Sequence, residues 1–270
     1  MDLSRPIARR TVIADLGRGA FALAVLGLAG CAPSGSGGSS SSASASASAS
    51  APPSASAAES ASADASASAA GGPTAPAWTR VNLGFVSAYV LVHGGEAAIV
   101  DTGVAGSADT IGASLKGIGL DWPAVAHVIL THNHQDHAGS AAEVLTRAAD
   151  ATGYAGVEDI PGITVPHALT PVQDDDTVFD LRIVTAPGHT PGSIAVLDPA
   201  AGGILVAGDA MGTTAGAPTL PGAQFTADMD QAKASIVKLG GLTFETLLVG
   251  HGDPIESGAA RLVAALGEGQ

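Results

Sequence analysis

His132-Asn133-His134-Gln135-Asp136-His137 places four potential metal ligands in six residues, directly after the apolar run Val128-Ile129-Leu130. Three imidazoles and a carboxylate this close cannot all bind one ion, because each side chain leaves the backbone in its own direction. They can serve two ions a few ångströms apart, with alternate residues turned to each. The chain has eight His in 270 residues, and three of them fall here. A solvated loop would draw on Ser, Asn, Gly and Lys instead.

Working outward, three further segments carry His or Asp beside an apolar run. Thr185-Ala186-Pro187-Gly188-His189-Thr190-Pro191-Gly192-Ser193 fixes the backbone around His189 with Pro and Gly on both sides. Val206-Ala207-Gly208-Asp209 ends a strand-like run in a carboxylate, and Leu248-Val249-Gly250-His251-Gly252-Asp253 places a His after another. His189 and Asp209, each alone, read first as a turn residue or a cap. Together the segments close a ligand inventory. His132, His134 and His189 supply three nitrogens for one ion, and Asp136, His137 and His251 supply a second set. Asp209, with two oxygens, can bridge both. Neutral imidazole combined with carboxylate suits two divalent ions, zinc first, with manganese or iron as alternatives, and does not suit calcium or magnesium alone. Asp101 and Thr102, which end an earlier strand, either accept an imidazole N–H from behind or are polar strand termini. His93, His127 and His167 lie outside these segments and read as ordinary structural or surface His.

Alternation, length and turn residues place these segments on a scaffold. Phe85 to Val92 and Ala97 to Val100 read as strands joined by a tight hairpin at Gly94-Gly95. Ser107 is placed to cap a helix running to about Lys116. Val125 to Leu130 is a buried strand, followed by a helix from about Ser140 to Ala149. Later strands are expected at 178–185, 193–197, 203–207 and 246–249, with helices near 228–239 and 258–266. Hairpins mixed with strand–helix units predict an α/β fold, a four-layer αβ/βα sandwich of two mixed β-sheets with outer helices. The loops 131–139, 186–192, 208–212 and 250–254 then carry the chemistry, as loops on a rigid scaffold tend to.

Composition bounds the rest. Arg5, Arg9, Arg10 and Arg18 make residues 1–30 a basic-then-apolar export signal, with an apolar stretch too short to span a bilayer comfortably. Leu28-Ala29-Gly30-Cys31 resembles a bacterial lipobox, which implies lipidation of Cys31 and a membrane-anchored, extracytoplasmic chain. Arg9-Arg10 before Thr11-Val12-Ile13 resembles a twin-arginine signal; since basic leaders often contain Arg pairs, the export route stays open. Cys31 is the single Cys, which excludes a disulfide framework, a Cys metal ligand and a thiol nucleophile. Residues 31–77 hold Cys31 and a Ser/Ala-rich stretch that buries too little to offset its ordering entropy. They read as a flexible tether of roughly 35–40 Å. Residues 78–270 are then one domain. The chain carries −14 overall, and without residues 1–30 it keeps 7 Lys and Arg against 23 Asp and Glu. So acidic a surface argues against nucleic-acid partners.

His-x-His-x-Asp-His, His189 within Gly-His-Thr-Pro-Gly, Gly208-Asp209, Gly250-His251-Gly252 and the early Asp101-Thr102-Gly103 together resemble the metallo-β-lactamase-fold hydrolase superfamily, over roughly residues 80–270. The resemblance is specific for fold and metal site and poorly specific for substrate. It implies the ligand grouping given above, with Asp209 bridging, a metal-activated hydroxide attacking a small ester, thioester, lactone or amide, and Asp136 orienting that water or passing its proton onward. Departures narrow the branch. The commonest zinc β-lactamases use a Cys ligand and generally lack the bridging Asp. Glyoxalase II shares the ligands but adds a C-terminal helical domain, whereas this chain stops about 20 residues after His251. Quorum-quenching lactonases use a Tyr near the bridging Asp, and none follows Asp209. Flavodiiron proteins replace the second His by Glu. An iron-dependent persulfide oxygenase on the same fold and a non-catalytic metal-containing binding module are the other classes. The pocket walls are expected from residues 84–88, 154–172 and 211–226, which carry few charges and suit a small or apolar substrate. Oligomeric state is not legible.

Overall fold

A computed structural model describes residues 77–200 and 202–270. The export signal, Cys31 and almost all of the tether lie outside the described residues. Two sheets organise the domain. The first has six strands in sequence order: β1 (Trp78–Asn82), β2 (Ser87–His93), β3 (Glu96–Val100), β4 (Val125–Leu130), β5 (Thr152–Gly156) and β6 (Thr170–Val172). The β1–β2 and β2–β3 pairs are antiparallel, and the pairs from β3 to β6 are parallel. The parallel pairs need crossovers, supplied in part by helices α1 (Ala108–Gly117), α2 (Gln135–Ala138) and α3 (Ala141–Arg147).

The second sheet contains β7 (Thr177–Val178), β8 (Leu181–Thr185), β9 (Ile194–Asp198), β10 (Ile204–Val206) and, last in sequence, β13 (Thr246–Leu248), in the order β13-β10-β9-β8-β7. A separate hairpin, β11 (Gly212–Thr214) with β12 (Ala217–Thr219), and helix α4 (Met229–Gly240) precede β13; helix α5 (Ala259–Glu268) follows it.

The layering follows from strand periodicity. In β2 to β4, Val90, Ile99, Val128 and Leu130 pack outward beside Ile111 and Leu115 of α1 and Val144 of α3. Their neighbours Leu91, Val100 and Ile129 turn inward to meet Ile183, Val196, Val206 and Leu248 of the second sheet. On its outer side, Val184, Leu197, Leu205 and Leu247 pack beside Ile236 and Leu239 of α4 and Val263 of α5. Side chains alternate because the strand period is two, so each sheet feeds two cores. The result is the expected helix–sheet–sheet–helix sandwich, with mixed sheets.

Strands β8 and β10 run the same way, and β13 lies parallel to β10, so their C-terminal ends share one edge. The two sheets are stitched there. Ile194 N–H donates to the Thr131 carbonyl at 2.8 Å, Ser87 N–H to the Gly250 carbonyl at 2.9 Å, and the buried Tyr89 hydroxyl to the Val249 carbonyl at 2.8 Å.

Several boundaries differ from expectation for physical reasons. Residues 178–185 are not one strand. Phe179 and Asp180 sit at φ 57° and 60° and form the two-residue turn between β7 and β8, the left-handed pair that a tight hairpin requires in a sequence without Asn-Gly. Strand β5 was not expected because it is Gly-rich. A Cβ at Gly156 would lie 2.0 Å from the Gly192 carbonyl oxygen, so glycine there permits close backbone approach. Strands β1, β6, β11 and β12 also went unread, being short or with little alternation. Ser107 precedes α1, but its side chain makes no capping bond; its N–H donates to Ser140 Oγ at 2.8 Å.

Tyr89→Phe is expected to cost about 1–2 kcal/mol, because the buried Val249 carbonyl loses its hydroxyl donor. Urea unfolding measures this; an unchanged midpoint would show that the bond does not help to join the sheets.

Candidate metal centre

The edge where those strands end gathers all seven predicted ligands. His132 and His134 stand in the turn after β4, while Asp136 and His137 lie on the short helix α2. His189 follows β8, Asp209 follows β10 in the tight turn Gly208–Ala210, and His251 follows β13. Three sets converge, with ligand atoms within 4.8 Å of one another: His132, His134 and His189; His132, His137 and Asp209; and Asp136, His137 and His251. The first and last are the sets read from the sequence, and the middle one places Asp209 between them.

The spacing fits coordination better than hydrogen bonding. Asp209 Oδ2 lies 3.4 Å from His189 Nε2 and 3.2 Å from His251 Nε2, and its Oδ1 is 3.3 Å from His137 Nε2. Asp136 Oδ2 is 3.2 Å from His251 Nε2. Ligands about 2.0–2.1 Å from a tetrahedral ion stand roughly 3.3 Å apart. His189 Nε2 and His134 Nδ1 are closer, at 2.9 Å. His132 Nε2, His137 Nε2 and Asp209 Oδ1 are buried with no hydrogen-bond partner. Three orphaned polar atoms on one small surface carry a steep desolvation cost, which a cation among them would relieve. The residues present therefore fit a pair of divalent ions.

Partners outside the cluster hold four of the five rings, those of His132, His137, His189 and His251. His137 Nδ1 donates to Asp101 Oδ2 at 2.7 Å, and His251 Nδ1 donates to the Phe85 carbonyl at 2.8 Å. Both partners act as acceptors, so Nδ1 carries the proton and Nε2 turns inward with its lone pair. The Thr131 hydroxyl donates to Asp101, leaving its oxygen to accept from His132 Nδ1 at 3.1 Å. Thr226 likewise donates to the Gly222 carbonyl and lies 3.3 Å from His189 Nδ1. Asp101 thus binds an imidazole N–H, as one of its two sequence readings held. Thr102 does not: its N–H and hydroxyl both donate to the His137 carbonyl, at 2.7 and 2.8 Å, holding the ligand's main chain.

Electrostatics follow from this packing. Burial pushes His132 well below its ordinary value and His189 down to about 4, so both are neutral and able to ligate. Burial opposes charge on His137 as well, but Asp101 and Asp209 outweigh it and raise it to about 10. Asp209 is held well below the usual carboxylate range by His137 and His251 despite its burial. Asp101 and Asp209 thus favour positive charge at the point where His137 Nε2 meets Asp209 Oδ1, which is where a cation would sit.

Thr131, Thr226 and, above all, Asp159 escaped sequence reading. Asp159, fully buried, accepts from Asn133 N–H at 2.9 Å, from the Thr190 hydroxyl at 2.6 Å and from Gly192 N–H at 2.9 Å. It ties the His132–His134 turn to the His189 turn, but no local pattern marks a lone Asp in a Gly-rich loop. Gly250, quoted above beside His251, has a steric role: a Cβ there would fall 2.3 Å from Asp209 Oδ1 and 2.4 Å from His137 Cε1. Beside the ligands lies a cavity of about 550 Å³ bordered by Phe85, Gln135, Gly222, Gln224 and Phe225. Residues 154–172, expected as a wall, do not line it; Asp159 braces the site from behind.

Asp101→Asn is expected to weaken metal binding about 10–100-fold while leaving every ligand in place, since the amide keeps one acceptor oxygen and cannot accept from Thr131 N–H on one side and from the Thr131 hydroxyl and His137 on the other. Competition against a chromophoric chelator measures the loss; unchanged affinity would show that Asp101 serves only the fold.

The comparisons agree with this geometry. A family model described as the metallo-beta-lactamase superfamily matches residues 81–251. The chain is 31% identical over 204 residues to a probable metallo-hydrolase, YflN, of Bacillus subtilis, covering 58% of this chain and 75% of that protein. It is 32% identical over 116 residues to a hydroxyacylglutathione hydrolase of Alkalilimnicola ehrlichii, covering 43% of this chain and 42% of that one. Among solved structures, a metallo-beta-lactamase family protein from Thermus thermophilus shares the fold, with a TM-score of 0.59 at 21% identity over 72% of this chain and 78% of that one. The matched span runs through every residue of the cluster described above, and the chain belongs to the metallo-beta-lactamase superfamily.

Proposed function

We propose that the chain is a dinuclear metal-dependent hydrolase, most consistent with zinc, acting on a small ester, thioester, lactone or amide. One observation carries this reading: seven ligand side chains converge around three buried polar atoms that have no partner. His132, His134 and His189 would hold one ion, Asp136, His137 and His251 the other, and Asp209 both. Bound there, such ions polarise a carbonyl and lower the pKa of a ligated water towards about 7.

The chain's own groups prepare the rest. Asp101, Thr131, Thr226 and the Phe85 carbonyl hold four of the five imidazoles, those of His137, His132, His189 and His251, with Nε2 inward, so these rings are oriented before an ion or substrate arrives. Asp136, which is partly exposed, borders the cavity 3.2 Å from His251 Nε2. It is placed to orient a water or carry a proton to the leaving group. The names of related hydrolases support the reaction class. The sequence of residues 1–31 supports export and anchoring to the extracytoplasmic membrane face through a lipid on Cys31.

The test is metal content and turnover of the purified full-length chain with its Asp209→Ala variant. About two zinc ions per chain are expected, with hydrolysis of a generic thioester or lactone falling at least roughly a hundredfold in the variant. One iron per chain without hydrolysis, or bound metal with no turnover of ester, thioester, lactone or β-lactam, contradicts the proposal.

A further inference from the structure

The cavity beside the ligands has an unusual border for an acidic, Ala- and Gly-rich chain. Phe85 and Phe225, among the few large apolar side chains exposed on the described surface, are 65% and 64% accessible and both stand at its mouth. Leaving two phenyl rings in water forgoes the stabilisation their burial would give, and an apolar patch beside a site marks a binding surface.

Both rings are also fixed relative to the ligands. The Phe85 ring stacks on His251 at 6.0 Å between centroids and 7° between planes, and its carbonyl holds His251 Nδ1. Phe225 ends the short turn Ala223–Phe225, next to Thr226, which holds His189. One ring is therefore tied to each ligand set, and the cavity opens between them.

Charge supplies the second half of the argument. Apart from the ligands, the polar side chains bordering this cavity are the neutral Gln135 and Gln224; among the described residues no Lys or Arg borders it. Of the nearby cations, Arg80 is committed to Asp253, the Gly252 carbonyl and Ser87. An anion held away from the ions would meet no counter-charge inside an acidic surface.

We infer that the substrate places an uncharged, apolar group between Phe85 and Phe225, and carries no anion on that side of the bond to be cleaved. The inference rests on the hydrolase reading and names its substrate class. It separates this chain from hydrolases of thioesters whose far end bears carboxylates, since here nothing would hold that end.

The test uses binding, so it does not depend on turnover. Two hydroxamic acids of equal chain length, one ending in a methyl group and one in a carboxylate, are titrated calorimetrically into the zinc-loaded full chain and its Phe225→Ala variant. The methyl-ended probe is expected to bind about tenfold more tightly or better, and the variant to bring the two towards equal affinity. Equal or tighter binding of the carboxylate probe, no binding of either, or a preference unchanged in the variant overturns the inference. A chain that shows the preference but hydrolyses no ester, thioester, lactone or β-lactam leaves the apolar subsite standing and removes the hydrolase reading.

Discussion

Two buried carboxylates that do not belong to the ligand set hold the site together. Asp101 receives Thr131 twice and His137 once. Asp159 receives Asn133, Thr190 and Gly192. Between them they tie four segments together: the strand end at Asp101, the loop 131–139, the turn at Asp159 and the loop 186–192. Charge-assisted hydrogen bonds of this kind are strong and directional, and burial makes an unpaired partner costly. Asp101 adopts a left-handed backbone, φ 63°, a conformation uncommon outside glycine. The strand end is bent to aim that carboxylate, and the orientation of His137 depends on it.

The clamps matter because the ligands resist convergence. Five imidazoles and two carboxylates within a few ångströms must desolvate together, and three of their atoms find no protein partner. Hydrophobic packing of both sheets with the helices outside them supplies the rigidity that holds such a cluster. The fold offers this edge because strands from both sheets end there, and glycine lets the chain approach closely. Gly250, Gly208 and Gly156 each stand where a Cβ would strike a ligand, Thr131 or a neighbouring backbone. The first Gly in Gly250-His251-Gly252 is thus a steric requirement of the metal centre.

Much of this was legible beforehand, and the reason is chemical. Ligation needs His and Asp at loops after apolar runs, and His is scarce elsewhere in the chain, so the ligand residues and the sandwich could be read together. Asp159, Thr131 and Thr226 could not, because a single hydrogen-bonding residue leaves no periodicity or spacing. Strand β5 was hidden because its glycines serve close packing where β-branched side chains would signal a strand. The two readings open for Asp101 and Thr102 could not be separated in the sequence, because which neighbour meets the imidazole and which meets the His137 carbonyl depends on how the strand end bends.

The central claim is that these residues hold two ions sharing one carboxylate. Anomalous X-ray scattering from crystals of the zinc-loaded protein, recorded across the zinc edge, addresses it directly. Two peaks about 3.5–4 Å apart, one among His132, His134 and His189, the other among Asp136, His137 and His251, with Asp209 touching both, are the expected result. A single peak, or Asp209 turned away from both, would contradict the account.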